Sequence, residues 1–83
     1  MRLSPDVVVT DTGTDLVLLD ERTGNYFSLN GTARSVLLAL ADGSTPADAV
    51  EILTRRHPES ADRIAADVPA LVEALLREKV LLP

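Results

Sequence analysis

The 83-residue chain contains no cysteine and no tryptophan, and only one each of tyrosine, phenylalanine, methionine and histidine. Without cysteine it has neither a disulfide framework nor a thiolate metal site, which suits a reducing cytoplasm. Its single imidazole, His57, sits beside Pro58 and reads as a solvated helix end. Catalysis through a Ser-His or Cys-His pair therefore has one candidate base and no strong nucleophile. No Gly-rich phosphate loop, paired-cysteine or His-Glu-x-x-His spacing occurs, so no catalytic residue, cofactor or metal ligand is assigned. No apolar run approaches the roughly 20 residues that span a bilayer. The opening Met1-Arg2-Leu3-Ser4-Pro5-Asp6 also lacks a signal-peptide core. The expectation is a soluble cytoplasmic protein with no membrane partner.

A basic surface is lacking too. The net charge is −5, with two basic and five acidic residues over positions 1–30 and six basic and eight acidic over 31–83. The length makes one domain over residues 1–83. A chain of this size buries about 60 to 65% of its unfolded surface and is modestly stable.

What the chain does have is concentrated between Leu16 and Asn30, which reads LVLLDERTGNYFSLN and holds both aromatics. Asp20-Glu21-Arg22-Thr23-Gly24-Asn25 is a polar run in which Gly24 and Asn25 tolerate the positive φ that reverses a chain. Leu16 to Leu19 and Tyr26 to Leu29 flank it with side chains that suit a pleated surface. Val7 to Thr10 is a third such run, set off by Asp11-Thr12-Gly13-Thr14. The simplest arrangement is a three-stranded antiparallel meander. Leu16, Val17, Leu18 and Leu19 are apolar at every step, so both faces of the middle strand want cover. The chain has few elements to spare, and a sheet face or its outer edge is expected to be completed by a partner.

Beyond Asn30 the apolar period changes from two to 3.6. Asn30 caps a helix over about Gly31 to Ala41, with Ala33, Val36, Leu37 and Leu40 on one face and Asp42-Gly43 as the stop. Thr45-Pro46-Ala47-Asp48 opens a second helix with a hydroxyl cap, a proline at the first helical position and a carboxylate three residues after the cap. His57-Pro58 ends it. A third helix, about Ser60 to Lys79, carries a stripe of Ile64, Val68, Leu71, Val72, Leu75 and Leu76. Pro69 predicts either a kink or a true start near Asp67. Val80 to Pro83 is expected to fold back as a short extended segment.

The fold class is α+β, a winged helix-turn-helix-like arrangement of a three-stranded antiparallel meander followed by three helices. A winged helix raises nucleic-acid binding, but the second helix shows Asp48 and Glu51 along its length and basic groups only at Arg55-Arg56. No nucleic-acid partner is expected. An acyl-carrier-like reading of Ser60 fails because that all-helical plan has no place for the strands.

The series Leu18-Leu19-Asp20, Thr23-Gly24, Tyr26-Phe27-Ser28-Leu29-Asn30, Asp42-Gly43-Ser44-Thr45-Pro46 and Asp67-Val68 before a leucine-rich helix resembles the PqqD-like family of RiPP recognition elements, over roughly Leu3 to Leu82. Within that family it is most similar to the stand-alone lasso-peptide precursor-binding proteins. The resemblance implies a domain that performs no chemistry and binds the leader of a ribosomally made precursor peptide. The leader adds as a strand to the third strand, here Asn25, Tyr26, Phe27, Ser28 and Leu29. Its apolar side chains enter a groove against the third helix, here Asp67, Val68, Leu71, Val72 and Leu75. In lasso systems the leader typically offers a Tyr-x-x-Pro motif. The implied partners are that leader, a leader peptidase of the cysteine-protease type, and a cyclase acting afterward. Service to another modifying enzyme, such as a radical SAM enzyme, is the alternative within the family. Two departures stand out: Gly31, where relatives often open the first helix with proline, and Pro69 inside the groove helix.

The strand chemistry is consistent with that mode. The Asn25 to Leu29 edge lacks the lysine or proline that commonly protects an open strand. By alternation Phe27 and Leu29 share the core face, leaving Tyr26 on the opposite one.

Overall fold

The computed structural model describes all residues, Met1–Pro83. Strands β1 (Arg2–Leu3), β2 (Val7–Asp11), β3 (Leu16–Asp20) and β4 (Asn25–Leu29) precede helices α1 (Gly31–Ala41), α2 (Pro46–Arg56) and α3 (Ala61–Arg77), and β5 (Leu81–Leu82) closes the chain. A single 3-10 turn, Pro58–Ser60, joins α2 to α3. The three-stranded antiparallel meander has the order β2-β3-β4, in the α+β arrangement expected. The tail returns in extended form, and its partner is β1, with Arg2 opposite Leu82 and Leu3 opposite Leu81. Sequence alone had given that pairing no signal, since two residues are too few to show a period.

Local chemistry sets the helix boundaries. The Asn30 side chain accepts from the Ala33 N–H at 3.1 Å and starts α1. Nothing in the packing requires glycine at position 31, since an added Cβ would meet only the Thr14 carbonyl at 3.7 Å, an ordinary contact. In α2 the Thr45 hydroxyl accepts from the Asp48 N–H while the Asp48 carboxylate accepts from the Thr45 N–H, both at 3.1 Å. That reciprocal pair satisfies two donors the helix itself leaves free.

Helices α1 and α3 end the same way with different residues. After α1, Gly43 at φ 98° donates to the Leu40 carbonyl and Ser44 to that of Ala39. After α3, Lys79 at φ 61° donates to the Leu76 carbonyl and Val80 to that of Leu75. Both are paired 5→2 and 6→1 terminations, which need a left-handed residue. Lysine tolerates it because the fully buried Val80 is pinned beneath the helix, where the Ser4 N–H also reaches its carbonyl at 2.8 Å.

Pro69 does not delay α3. The helix runs unbroken from Ala61, and the start near Asp67 is set aside. Pro69 and Ala65 both face solvent, so the Ala65 carbonyl that loses its helical donor is open to water.

One core joins every layer: Leu16, Leu18 and Leu29 from the sheet, Val36, Leu37 and Leu40 from α1, Ala49 and Leu53 from α2, Ile64, Val68, Val72 and Leu75 from α3, and Val80 and Leu81 from the tail. The middle strand buries one face, through Leu16, Leu18 and Asp20, while Val17 and Leu19 on the other are half-buried. On that outer face the register lines up Val8, Leu19 and Tyr26 in one row and Thr10, Val17 and Ser28 in the next. Tyr26 is 70% exposed and Val8 46%. The outer face is therefore less completely covered than the inner one.

Candidate functional site

The β3–β4 turn positions the edge strand. Asp20 is the one buried carboxylate, 1% exposed at the end of β3. It accepts from the Arg22 N–H at 3.0 Å, from Arg22 Nε at 3.3 Å and from Arg22 Nη2 at 2.9 Å. Its carbonyl takes the Gly24 N–H at 2.8 Å, and Gly24 stands at φ 77°. Arg22 also reaches the Glu78 carbonyl at 3.5 Å, tying the hairpin tip to the end of α3. The hydrogen-bonded guanidinium holds the Asp20 carboxyl below its ordinary range.

That depressed value gives a pH dependence of known sign. A carboxyl whose folded pKa lies below its unfolded one stabilises the fold above the ordinary value of about 3.9. The contribution disappears as the pH falls through the depressed folded value. Melting temperature should therefore drop on acidification below about pH 4, with a smaller drop in Asp20→Asn, which starts less stable. An equal slope in both proteins would show that Asp20 is not the group responsible.

The pairing pattern decides what β4 presents. The Glu21 N–H bonds to the Asp6 carbonyl at 3.0 Å, so by antiparallel alternation Val8/Leu19 and Thr10/Val17 are the bonded pairs on that side of β3. Backbone groups of Leu16, Leu18 and Asp20 then face Leu29, Phe27 and Asn25. Tyr26 and Ser28 are left with N–H and C=O directed to the open edge, two peptide units ready for another strand. Phe27, half-buried, and Leu29, 8% exposed, lie on the inner face with the core, and the Tyr26 ring lies on the outer.

Helix α3 divides into core and surface. Val68, Val72 and Leu75 are 2%, 6% and 4% exposed, while Leu71 is half-buried and Asp67 exposed. Val72 and Leu75 are core side chains of the free chain, on the stripe by which α3 packs against α1, α2 and β5. Asp67 and Leu71 remain accessible, with Val68 at the floor of a cavity.

That cavity, about 370 Å³, opens between the start of α1, the end of α2 and the first half of α3. Ala33, Val36, Leu53, Ile64, Val68 and Leu71 supply its apolar lining, and Asn30, Thr32, His57, Ser60, Arg63 and Asp67 its polar one. Sequence reading found Asp67, Val68 and Leu71 but missed the contributions of α1 and α2. Three separate helices meet there, and no local pattern announces such a meeting. His57 is exposed as expected, 3.7 Å from Glu59, yet its position at the cavity gives it a neighbourhood that a loop assignment alone did not.

No set of three or more His, Asp or Glu side chains is grouped to hold a metal ion. No helix is long and apolar enough to cross a membrane. The exposed side of α3 carries Asp62, Asp67 and Glu73 against Arg63 and Arg77, a poor surface for phosphates.

The family profile described as "Coenzyme PQQ synthesis protein D (PqqD)" matches residues 15–81. No curated protein sequence matches the chain. Among solved structures, a lasso peptide synthetase B1 complexed with its leader peptide is 38% identical, with a TM-score of 0.86 over 99% of this chain and 96% of that one. TbiB1 in complex with the TbiA(beta) leader peptide is 25% identical, with a TM-score of 0.87 over 98% of this chain and 94% of that one. With its meander, its three helices and its open third strand, the chain belongs to the PqqD family, as a PqqD-like RiPP recognition element.

Proposed function

We propose that this protein binds the leader of a ribosomally made precursor peptide on the β4 edge and presents it to a leader peptidase in lasso-peptide biosynthesis. The observation that carries the reading is the pair of outward-directed peptide units at Tyr26 and Ser28, in a fold shared with two leader-bound proteins. Added antiparallel, the leader exchanges backbone hydrogen bonds with those two residues, while side chains in the groove select its sequence. In that direction the leader residues preceding the paired segment run past Leu29 toward Asn30 and the cavity, which suits side chains such as those of a Tyr-x-x-Pro motif. Asp67, Val68 and Leu71 are the α3 residues that meet them.

The contribution is positioning rather than bond breaking. Holding a flexible substrate beside a cysteine-protease-type peptidase raises its effective concentration there, and the cyclase acts on the product. The Tyr26 ring, exposed on the outer face next to the leader edge, is the proposed contact for the peptidase. Lasso chemistry is preferred over service to a radical SAM enzyme because the solved structure that is 38% identical over nearly the whole chain is named a lasso peptide synthetase B1.

Hydrogen exchange tests the edge. In the free protein the Tyr26 and Ser28 amides should exchange fast and the Phe27 amide slowly. Addition of a synthetic lasso-precursor leader peptide should slow the first two by at least about tenfold, as expected of an amide moved from water into a ladder. Protection confined to α2, with Tyr26 and Ser28 unchanged, would refute the edge model.

A further inference from the structure

The sheet has a second open edge that leader binding does not use. Strand β2 pairs only with β3, and its register runs without a bulge from Val7 opposite Asp20 to Asp11 opposite Leu16. The same alternation that frees Tyr26 and Ser28 on β4 directs the peptide groups of Val9 and Asp11 outward from β2. The Val7 N–H is already taken by the Ser4 carbonyl at 3.1 Å, but its own carbonyl is outward-facing. Natural edges are commonly blunted by lysine, proline, a bulge, an inward-pointing charge or a cover, and of the charges β2 has only Asp11 at its end, neutralised by Arg34. Here the strand reads Val-Val-Val-Thr-Asp, with Val8 46% exposed on the outer face and Val9 38% exposed on the inner.

We infer that this edge pairs with the same edge of a second copy. Antiparallel β2 strands related by a two-fold axis have few registers open to them, and charge selects among them. An axis at Asp11 sets two carboxylates side by side, and one at Thr10 makes them diagonal neighbours on the same face, both unfavourable. An axis at Val7 or Val8 needs the Val7 donor that Ser4 already holds. An axis at Val9 sets Val9 against Val9, Val8 against Thr10 and Val7 against Asp11. It offers four inter-chain bonds, two between the Val9 peptide units and two from Asp11 N–H to Val7 carbonyl. The Asp11 charge is matched within its own chain, since Arg34 Nη2 lies 2.7 Å and Nε 2.9 Å from its carboxylate oxygens. The pairing therefore brings no unmatched charge to the seam and covers Val8 and Val9 of both copies. The result is a six-stranded sheet whose two ends are the two β4 edges, both still open. The inference stands whether or not β4 carries a leader.

Proline at an edge position whose N–H points to solvent leaves the strand's own ladder intact. Val9→Pro and Ser28→Pro therefore each block one edge and spare the other. Sedimentation of the intact protein from low micromolar to near-millimolar concentration should show a monomer–dimer equilibrium. Val9→Pro should weaken it at least tenfold, and Ser28→Pro should leave it within twofold. Val9→Lys, which retains the backbone donor and adds an edge charge, should weaken dimerisation in the same sense, and circular dichroism verifies the fold of each. A monomer throughout the range, with β2 left to some other polypeptide, overturns the inference. So does a dimer that Ser28→Pro dissolves and Val9→Pro does not.

Discussion

Ser28→Pro should bind the precursor leader roughly five- to 150-fold more weakly than the parent protein while its melting temperature changes little. The Ser28 N–H points away from β3, so its loss removes no bond from the sheet. The preceding residue, Phe27, is already extended, the conformation proline demands of its neighbour. What disappears is a donor to the incoming strand. A leader carbonyl left unpaired at the edge costs about 1 to 3 kcal/mol, and each ~1.4 kcal/mol is tenfold in affinity. Phe27→Pro is the contrasting variant, because the Phe27 N–H belongs to the pairing with Leu18 and its loss should destabilise the sheet itself. Calorimetric titration together with a thermal melt separates the two effects. Undiminished affinity in a folded Ser28→Pro protein would remove β4 from the binding site.

That contrast between adjacent residues was legible in the sequence only as far as side chains go. Alternation placed Phe27 and Leu29 inward and Tyr26 outward, and the two capped helices began at the residues their caps indicated, because a cap is a local bond between neighbours. Which peptide units face the free edge depends on the phase of the hydrogen-bond ladder. The Asp6–Glu21 bond sets that phase, and it leaves no trace in composition. The same holds for the β1–β5 pairing and for the cavity, each assembled from pieces far apart in the chain. On α3 the difficulty was different. An apolar stripe reports that a face is buried, yet a ligand groove and a core demand the same residues. Val72 and Leu75 were consequently read as ligand contacts, and in the free chain they lie within the core.

The α3 stripe therefore yields a paired experiment in which neighbouring substitutions give opposite outcomes. Val72→Glu should unfold the protein, whereas Leu71→Glu should leave it folded and lose leader binding. Val72 is 6% exposed and packed within the core, so a carboxylate there is either desolvated or protonated without a partner, a penalty of several kcal/mol. A domain this small has a total stability on the order of 4 to 12 kcal/mol, of which the loss is a large part. Leu71 is half-buried beside the cavity, where a glutamate can turn its carboxylate to water while its stem covers part of the same surface. The fold survives, but an apolar contact with the leader is exchanged for a charge that binding must dehydrate, weakening association by about 1 to 3 kcal/mol. Circular dichroism melts and leader titration of both variants read the two quantities separately. If Val72→Glu stays folded and loses only leader affinity, Val72 belongs to an open groove and the division of α3 into core and contact surface is wrong. If Leu71→Glu binds normally, the leader does not run toward the cavity, and its apolar side chains are accommodated elsewhere along β4.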